Sequence, residues 1–244
     1  MRDIDPALLA DVADEQASLD RLLSSLPAEA WGRPTPAAGW NVADQVRHLA
    51  VSERASSLAV TGRSEEVFGD VTPPIVDLGR NPATLLEAWR TSRAQTLTGL
   101  RALHDRDRVI WGAGPMSARS FADARLMETW AHGLDCFAAV GVTPVDTIRL
   151  RRIAGLGLRA LPYAFGLAGQ PHPDEARHVA LDLTGPDGTP WWIGPAASTD
   201  VISGKASEWC RVVTRRRPAG QTSLRAATPL GWTALELARA YLAD

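Results

Sequence analysis

The stretch Asn41-Val-Ala-Asp44-Gln-Val-Arg-His48-Leu-Ala50 reads as the opening of an amphipathic helix that carries a lone histidine. Asn41 can cap the helix, and Asp44, three residues on, can close a capping box. Val42, Val46, Leu49 and Ala50 form the buried stripe, with His48 near its edge. Eighty residues further on, Glu128-Thr-Trp-Ala-His132 sets a carboxylate and an imidazole four positions apart. In a helix that spacing puts both on one face, one turn apart, where they can grip the same ion. A histidine from a neighbouring helix completes a His2Glu set, a known ligand set of catalytic zinc with a fourth position left open. Only five histidines occur in the chain, so two in this arrangement are informative. Each residue alone also has a plainer reading: His48 as a hydrogen-bonded core histidine, Glu128 as a helix-surface charge.

Working outward, the first 142 residues read as helices. Asp5-Pro6 is a start signal, a capping side chain followed by proline in the first turn, and an apolar stripe runs on to Leu26. Residues 61–80 hold Gly62, Gly69, Pro73, Pro74 and Gly79 and read as a long connection of the kind used for a lid or a binding segment. Asn81-Pro82 opens a third helix with Leu85, Leu86 and Trp89 on its stripe. Trp111-Gly-Ala-Gly-Pro115 is a turn, and Ser117 or Ser120 begins a fourth helix that Gly141 stops. Four helices predict a bundle, whose metal sites are built from side chains on facing helices.

After residue 145 the character changes, so the spacing predicts two domains: a helical bundle over 1–145 and a smaller α+β unit over 146–244. Thr147–Leu161 reads as a helix and the tract from Gly166 to Pro173 as a linker. His178-Val-Ala-Leu-Asp-Leu-Thr184 alternates like a strand, Gly185-Pro-Asp-Gly188 reads as a turn and Pro190–Ile193 as the second strand of a hairpin. Helices follow over Ala206–Thr214 and Leu230–Leu242, with a short strand at Leu224–Ala227 between them.

Composition narrows the partners. The 244 residues are 45% hydrophobic and 22% charged, with 26 basic against 28 acidic side chains, which favours neither nucleic acid nor an anionic membrane. The two cysteines, Cys136 and Cys210, form no CxxC pair and fit a reducing compartment. No apolar stretch reaches the roughly 20 residues of a membrane span, and no signal-peptide pattern opens the chain, so a cytoplasmic location is expected.

Gly39-Trp40-Asn-Val-Ala-Asp44-Gln-Val-Arg-His48-Leu49, followed by Glu128-Thr-Trp-Ala-His132-Gly-Leu-Asp135, resembles the mycothiol-dependent maleylpyruvate isomerase family, part of the DinB-like group of metal-binding four-helix bundles. The resemblance implies zinc, or another divalent metal, on His48, Glu128 and His132, with mycothiol or a similar thiol as cosubstrate. It also implies a sterol-carrier-like α+β fold for the second domain, with Val201-Ile-Ser-Gly204 and the helix through Trp209 as a turn-and-helix segment. In the family that helix ends in Gly-Arg, the arginine facing the active site; here Thr214-Arg215-Arg216-Arg217 stands there, and Arg216 takes the arginine's register. The implied reaction adds a thiolate to an activated double bond, lets the single bond rotate and expels the thiolate. The first half alone would make a thiol transferase. A non-catalytic metal binder and a metal-dependent hydrolase are the alternatives. Asp135 is a candidate to orient His132, or else a partner for Arg125. Trp40 and Trp130 read as packing residues.

Overall fold

A computed structural model describes residues 2–68, 78–112 and 114–240. The chain is α+β and divides into two compact units, Met1–Pro144 and Val145–Asp244.

The first unit is built on four long helices: α1 (Pro6–Ser25), α2 (Val42–Ala59), α4 (Pro82–Arg101) and α5 (Ala118–Ala139), with a one-turn helix α3 (Glu65–Phe68) before α4. α2 packs on α4 and α5, and α1 packs on the same two, which closes a four-helix ring. Their starts follow from local chemistry. Asn41 and Asp44 form both halves of a capping box, with Asp44 N–H donating to Asn41 Oδ1 at 2.9 Å and Asn41 N–H to Asp44 Oδ2 at 3.2 Å. Asn81 caps α4 ahead of Pro82, and Ser117, not Ser120, caps α5 by accepting from Ser120 N–H. Inside the ring, Leu19, Leu23, Val46, Leu49, Leu85 and Trp89 form one buried cluster. α2 also buries Gln45, Glu53 and Ser56. A helix that turns polar groups inward must satisfy them there.

One expectation is corrected in this unit. Trp111–Pro115 is not an isolated turn: it joins β1 (Arg108–Trp111) to β2 (Gly114–Ser117) in an antiparallel ribbon. Within the connection over 61–80, residues 61–68 and 78–80 are described and include α3, while 69–77 lie outside the described residues.

The second unit sets α6 (Leu150–Leu167), α7 (Ala206–Val213) and α8 (Pro229–Leu237) against a sheet of β3 (Ala180–Thr184), β4 (Pro190–Ile193), β5 (Val201–Lys205) and β6 (Arg225–Ala226), in the order β4-β3-β5-β6. β3 pairs antiparallel with β4 across the expected turn and parallel with β5. Val201–Gly204 is therefore a central strand rather than a turn, its Ile202 fully buried opposite Leu181. His178 ends a 3-10 turn, so β3 begins two residues later than the alternation suggests. α6 runs past Leu161 and through Pro162, because Leu161, Ala164 and Phe165 continue its buried stripe. Gly157 lets α6 approach α7: a Cβ there would lie 2.7 Å from the Val213 side chain. Trp209 Nε1 ties the same pair by donating to the Ala154 carbonyl at 3.2 Å.

The end of α7 bears on Arg216. Arg216 N–H donates to Arg211 O at 2.8 Å and Arg215 N–H to Val212 O at 2.9 Å, the two bonds of a Schellman turn. The residue that such a turn puts in left-handed conformation is usually glycine; here it is Arg215, with φ 60°. Left-handed backbone costs a side-chain-bearing residue about 1–2 kcal/mol. Arg215→Gly is accordingly expected to stabilise the protein by about 1 kcal/mol in urea denaturation, without changing the midpoint slope.

Candidate metal centre

α2 and α5 bring three side chains together. His48 Nε2 lies 3.5 Å from Glu128 Oε2, and His132 Nε2 lies 3.3 Å from the same oxygen. One ligand atom from each of the three falls within 4.8 Å of the others, and among the described residues this is the one His/Cys/Asp/Glu group so arranged. Two ligands at about 2.1 Å from a tetrahedral zinc lie roughly 3.4 Å apart, so both contacts have the length of a coordination edge. They are longer than the about 2.7–2.9 Å of a charged N–H···O bond. The imidazoles lie against each other with ring centroids 4.4 Å apart. His132 is buried, whereas the His48 side chain is 38% exposed, so the group is open to solvent from the α2 side.

The surroundings set the charge. Burial pushes the Glu128 carboxyl up, but the His132 and His48 rings in their protonated forms, with the Arg125 guanidinium behind them, outweigh it and hold the group well below the usual carboxylate range. Arg125 sits one turn before Glu128 on α5, buried, with Nη1 donating to Ser52 Oγ at 2.7 Å and its plane over Trp111 at 4.8 Å. Glu53 lies deeper in the bundle. Burial raises its carboxyl above the ordinary value, and the Arg125 charge pulls the other way.

Gln45 is the residue that sequence reading missed. It is fully buried, its Oε1 lies 2.6 Å from His132 Nδ1, and its Nε2 donates to Asp135 Oδ2 at 3.3 Å and to Thr35 Oγ1 at 3.0 Å. Asp135 thus meets His132 through Gln45. A glutamine three residues before a candidate ligand carries no spacing signal of its own. Trp40, read as packing, instead stands against the site, stacked on His132 at 6.1 Å and tilted to His48 at 5.4 Å.

The other expected residues fall as follows. Asp44 serves the helix cap and meets Arg80 at 3.1 Å. Cys136 is fully buried, and burial followed by the Asp135 charge pushes its thiol far above the ordinary range; burial does the same to Cys210. His104 faces Asp107 and Asp3. Arg216 belongs to the second unit, where Nη1 donates to the Thr214 carbonyl at 2.8 Å. No helix among the described residues is long and apolar enough to cross a membrane.

The mycothiol maleylpyruvate isomerase N-terminal domain matches residues 12–137, a span that takes in all three candidate ligands. Two uncharacterised proteins of Mycobacterium tuberculosis, from strains CDC 1551 / Oshkosh and ATCC 25618 / H37Rv, are each 37% identical to the chain, covering 96% of it and 94% of their own length. Among solved structures, the crystal structure of the mycothiol-dependent maleylpyruvate isomerase superposes with TM-score 0.57 at 18% identity, over 91% of this chain and 92% of that one. A histidine-to-alanine mutant of that enzyme gives TM-score 0.55 at 19% identity, over 84% and 87%. The chain belongs to the mycothiol maleylpyruvate isomerase family.

Proposed function

We propose that the chain is a zinc-dependent enzyme that uses a low-molecular-weight thiol of the mycothiol type, for isomerase or thiol-transferase chemistry on a small electrophile. The observation that carries this is the convergence of two ring nitrogens on one carboxylate oxygen at coordination-edge distances. Since His132 Nδ1 faces the Gln45 carbonyl oxygen, its Nε2 presents a lone pair to Glu128, an arrangement that a cation between them turns from repulsive to attractive. Two neutral imidazoles and one carboxylate would leave a divalent ion about one net positive charge. Bound there, such an ion supplies an open coordination position and the charge to hold a small thiol as its anion.

The chain's own residues define the rest. Neither cysteine suits a nucleophile, being buried and hard to ionise, so the thiol comes from a small molecule. Cys136→Ala is expected to leave thiol-dependent turnover nearly unchanged, as read by kcat/KM. Trp40 offers an aromatic wall beside the two rings. The left-handed Arg215 occupies the place of the family's glycine, which supports Arg216 as the counterpart of the family's arginine and a clamp for substrate carboxylate. Arg216→Ala is expected to raise KM selectively for carboxylate-bearing substrates; an equal effect on neutral electrophiles would show a merely structural role. A sealed structural staple fits less well, because His48 is part-exposed. Metal analysis of purified protein, paired with thermal shifts against mycothiol, tests the reading. It predicts stoichiometric zinc and a thiol-induced rise in Tm that needs the metal. Protein that takes up no divalent metal would refute it.

A further inference from the structure

We infer that Gln45 is a positioning residue: pinned by Asp135 and Thr35, it locks His132 in the tautomer with hydrogen on Nδ1, so that Nε2 turns its lone pair toward Glu128. Which end of the amide faces the ring decides the tautomer. A carboxylate only accepts, so the end of Gln45 that meets Asp135 Oδ2 at 3.3 Å is the NH2 group. The same NH2 reaches Thr35 Oγ1 at 3.0 Å, and the Thr35 hydroxyl spends its own hydrogen on the Trp40 carbonyl at 3.0 Å. Thr35 can therefore only accept from Gln45. With both amide hydrogens directed at acceptors, the remaining Oε1 faces His132 Nδ1 at 2.6 Å and must receive a hydrogen from it. Gln45 is fully buried and Asp135 and His132 nearly so, so a broken bond here would leave an unpaired polar group away from water.

The relay joins three pieces of chain: Thr35 and the Trp40 loop, α2 through Gln45, and α5 through Asp135 and His132. It explains why a helix of this bundle turns a glutamine into its core. Its consequence for ion affinity rests on the metal-centre reading; the tautomer does not. Outer partners that fix a ligating imidazole are worth about 10–100-fold in metal affinity.

The test uses metal-free full-length protein and long-range proton–nitrogen NMR of the His132 ring at a pH where it is neutral. Wild type is expected to show hydrogen on Nδ1 alone. Gln45→Leu removes the relay, and Asp135→Asn keeps its shape while freeing the amide to flip; both should give a mixture with the Nε2–H form. In chelator competition, both variants should bind zinc about 10–100-fold more weakly than wild type. Wild type with hydrogen on Nε2 overturns the inference whether or not any variant folds. So does a His132 tautomer, or a zinc affinity, that neither substitution moves. The expected tautomers in wild type and both variants, together with a wild type that takes up no zinc, would support the relay and sink the metal centre instead.

Discussion

Glu128→Ala is expected to abolish stoichiometric zinc uptake and, with it, thiol-dependent turnover. Glu128 faces both ring nitrogens, at 3.5 and 3.3 Å, and its side chain is the only anion of the three. Its removal leaves two neutral donors, and zinc affinity should fall by more than about 100-fold, the upper end of what an outer partner is worth. Because Arg125 stands behind Glu128, the substitution also leaves a buried cation facing one carboxyl fewer. Glu128→Gln separates the two effects: it keeps the volume and removes the charge. Zinc titration monitored by chelator competition checks the first effect, and urea denaturation of the metal-free protein checks the second. Full zinc affinity in Glu128→Ala would show that the carboxylate is no ligand.

The largest expected effect on stability is at Trp89. Its ring is fully buried in the cluster where α1, α2 and α4 meet, with the Arg93 guanidinium 4.3 Å over its face. Trp89→Ala leaves a cavity that neighbouring helices can only partly close, at a cost of about 3–5 kcal/mol. Metal-free protein should lose most of its margin, since domains are stable by only about 5–15 kcal/mol. On the proposed reading zinc binds the folded state and should restore part of it. Thermal unfolding with and without zinc measures both. A loss below about 1 kcal/mol would mean that the bundle repacks around the gap.

Much of the bundle was legible because its signals are local. The Asn41–Asp44 box, Asn81-Pro82 and Ser117 mark helix starts by side chains that reach only three residues, and the Glu128–His132 spacing needs only the pitch of one helix. What escaped depends on distance or on competing terms. β1 and β2 are four residues each, too short for alternation to register, and β5 has one fully buried residue whose partner lies twenty-one positions earlier. α6 continues through Pro162 because packing of Leu161 and Phe165 overrides a local breaker. Gln45 has no charge and no motif. Its role exists only because α5 brings Asp135 and His132 to it from some ninety positions away.

The central claim is that a metal held by His48, Glu128 and His132 accepts the anion of a small thiol. Calorimetric titration of mycothiol into the zinc-loaded protein, in buffers of different ionisation heat, tests it most directly. The account predicts stoichiometric binding with release of a proton, strengthening as pH rises because the thiol binds as its anion, and absent from metal-free protein. A zinc-loaded protein that gives neither binding heat nor turnover with mycothiol and related thiols would contradict it.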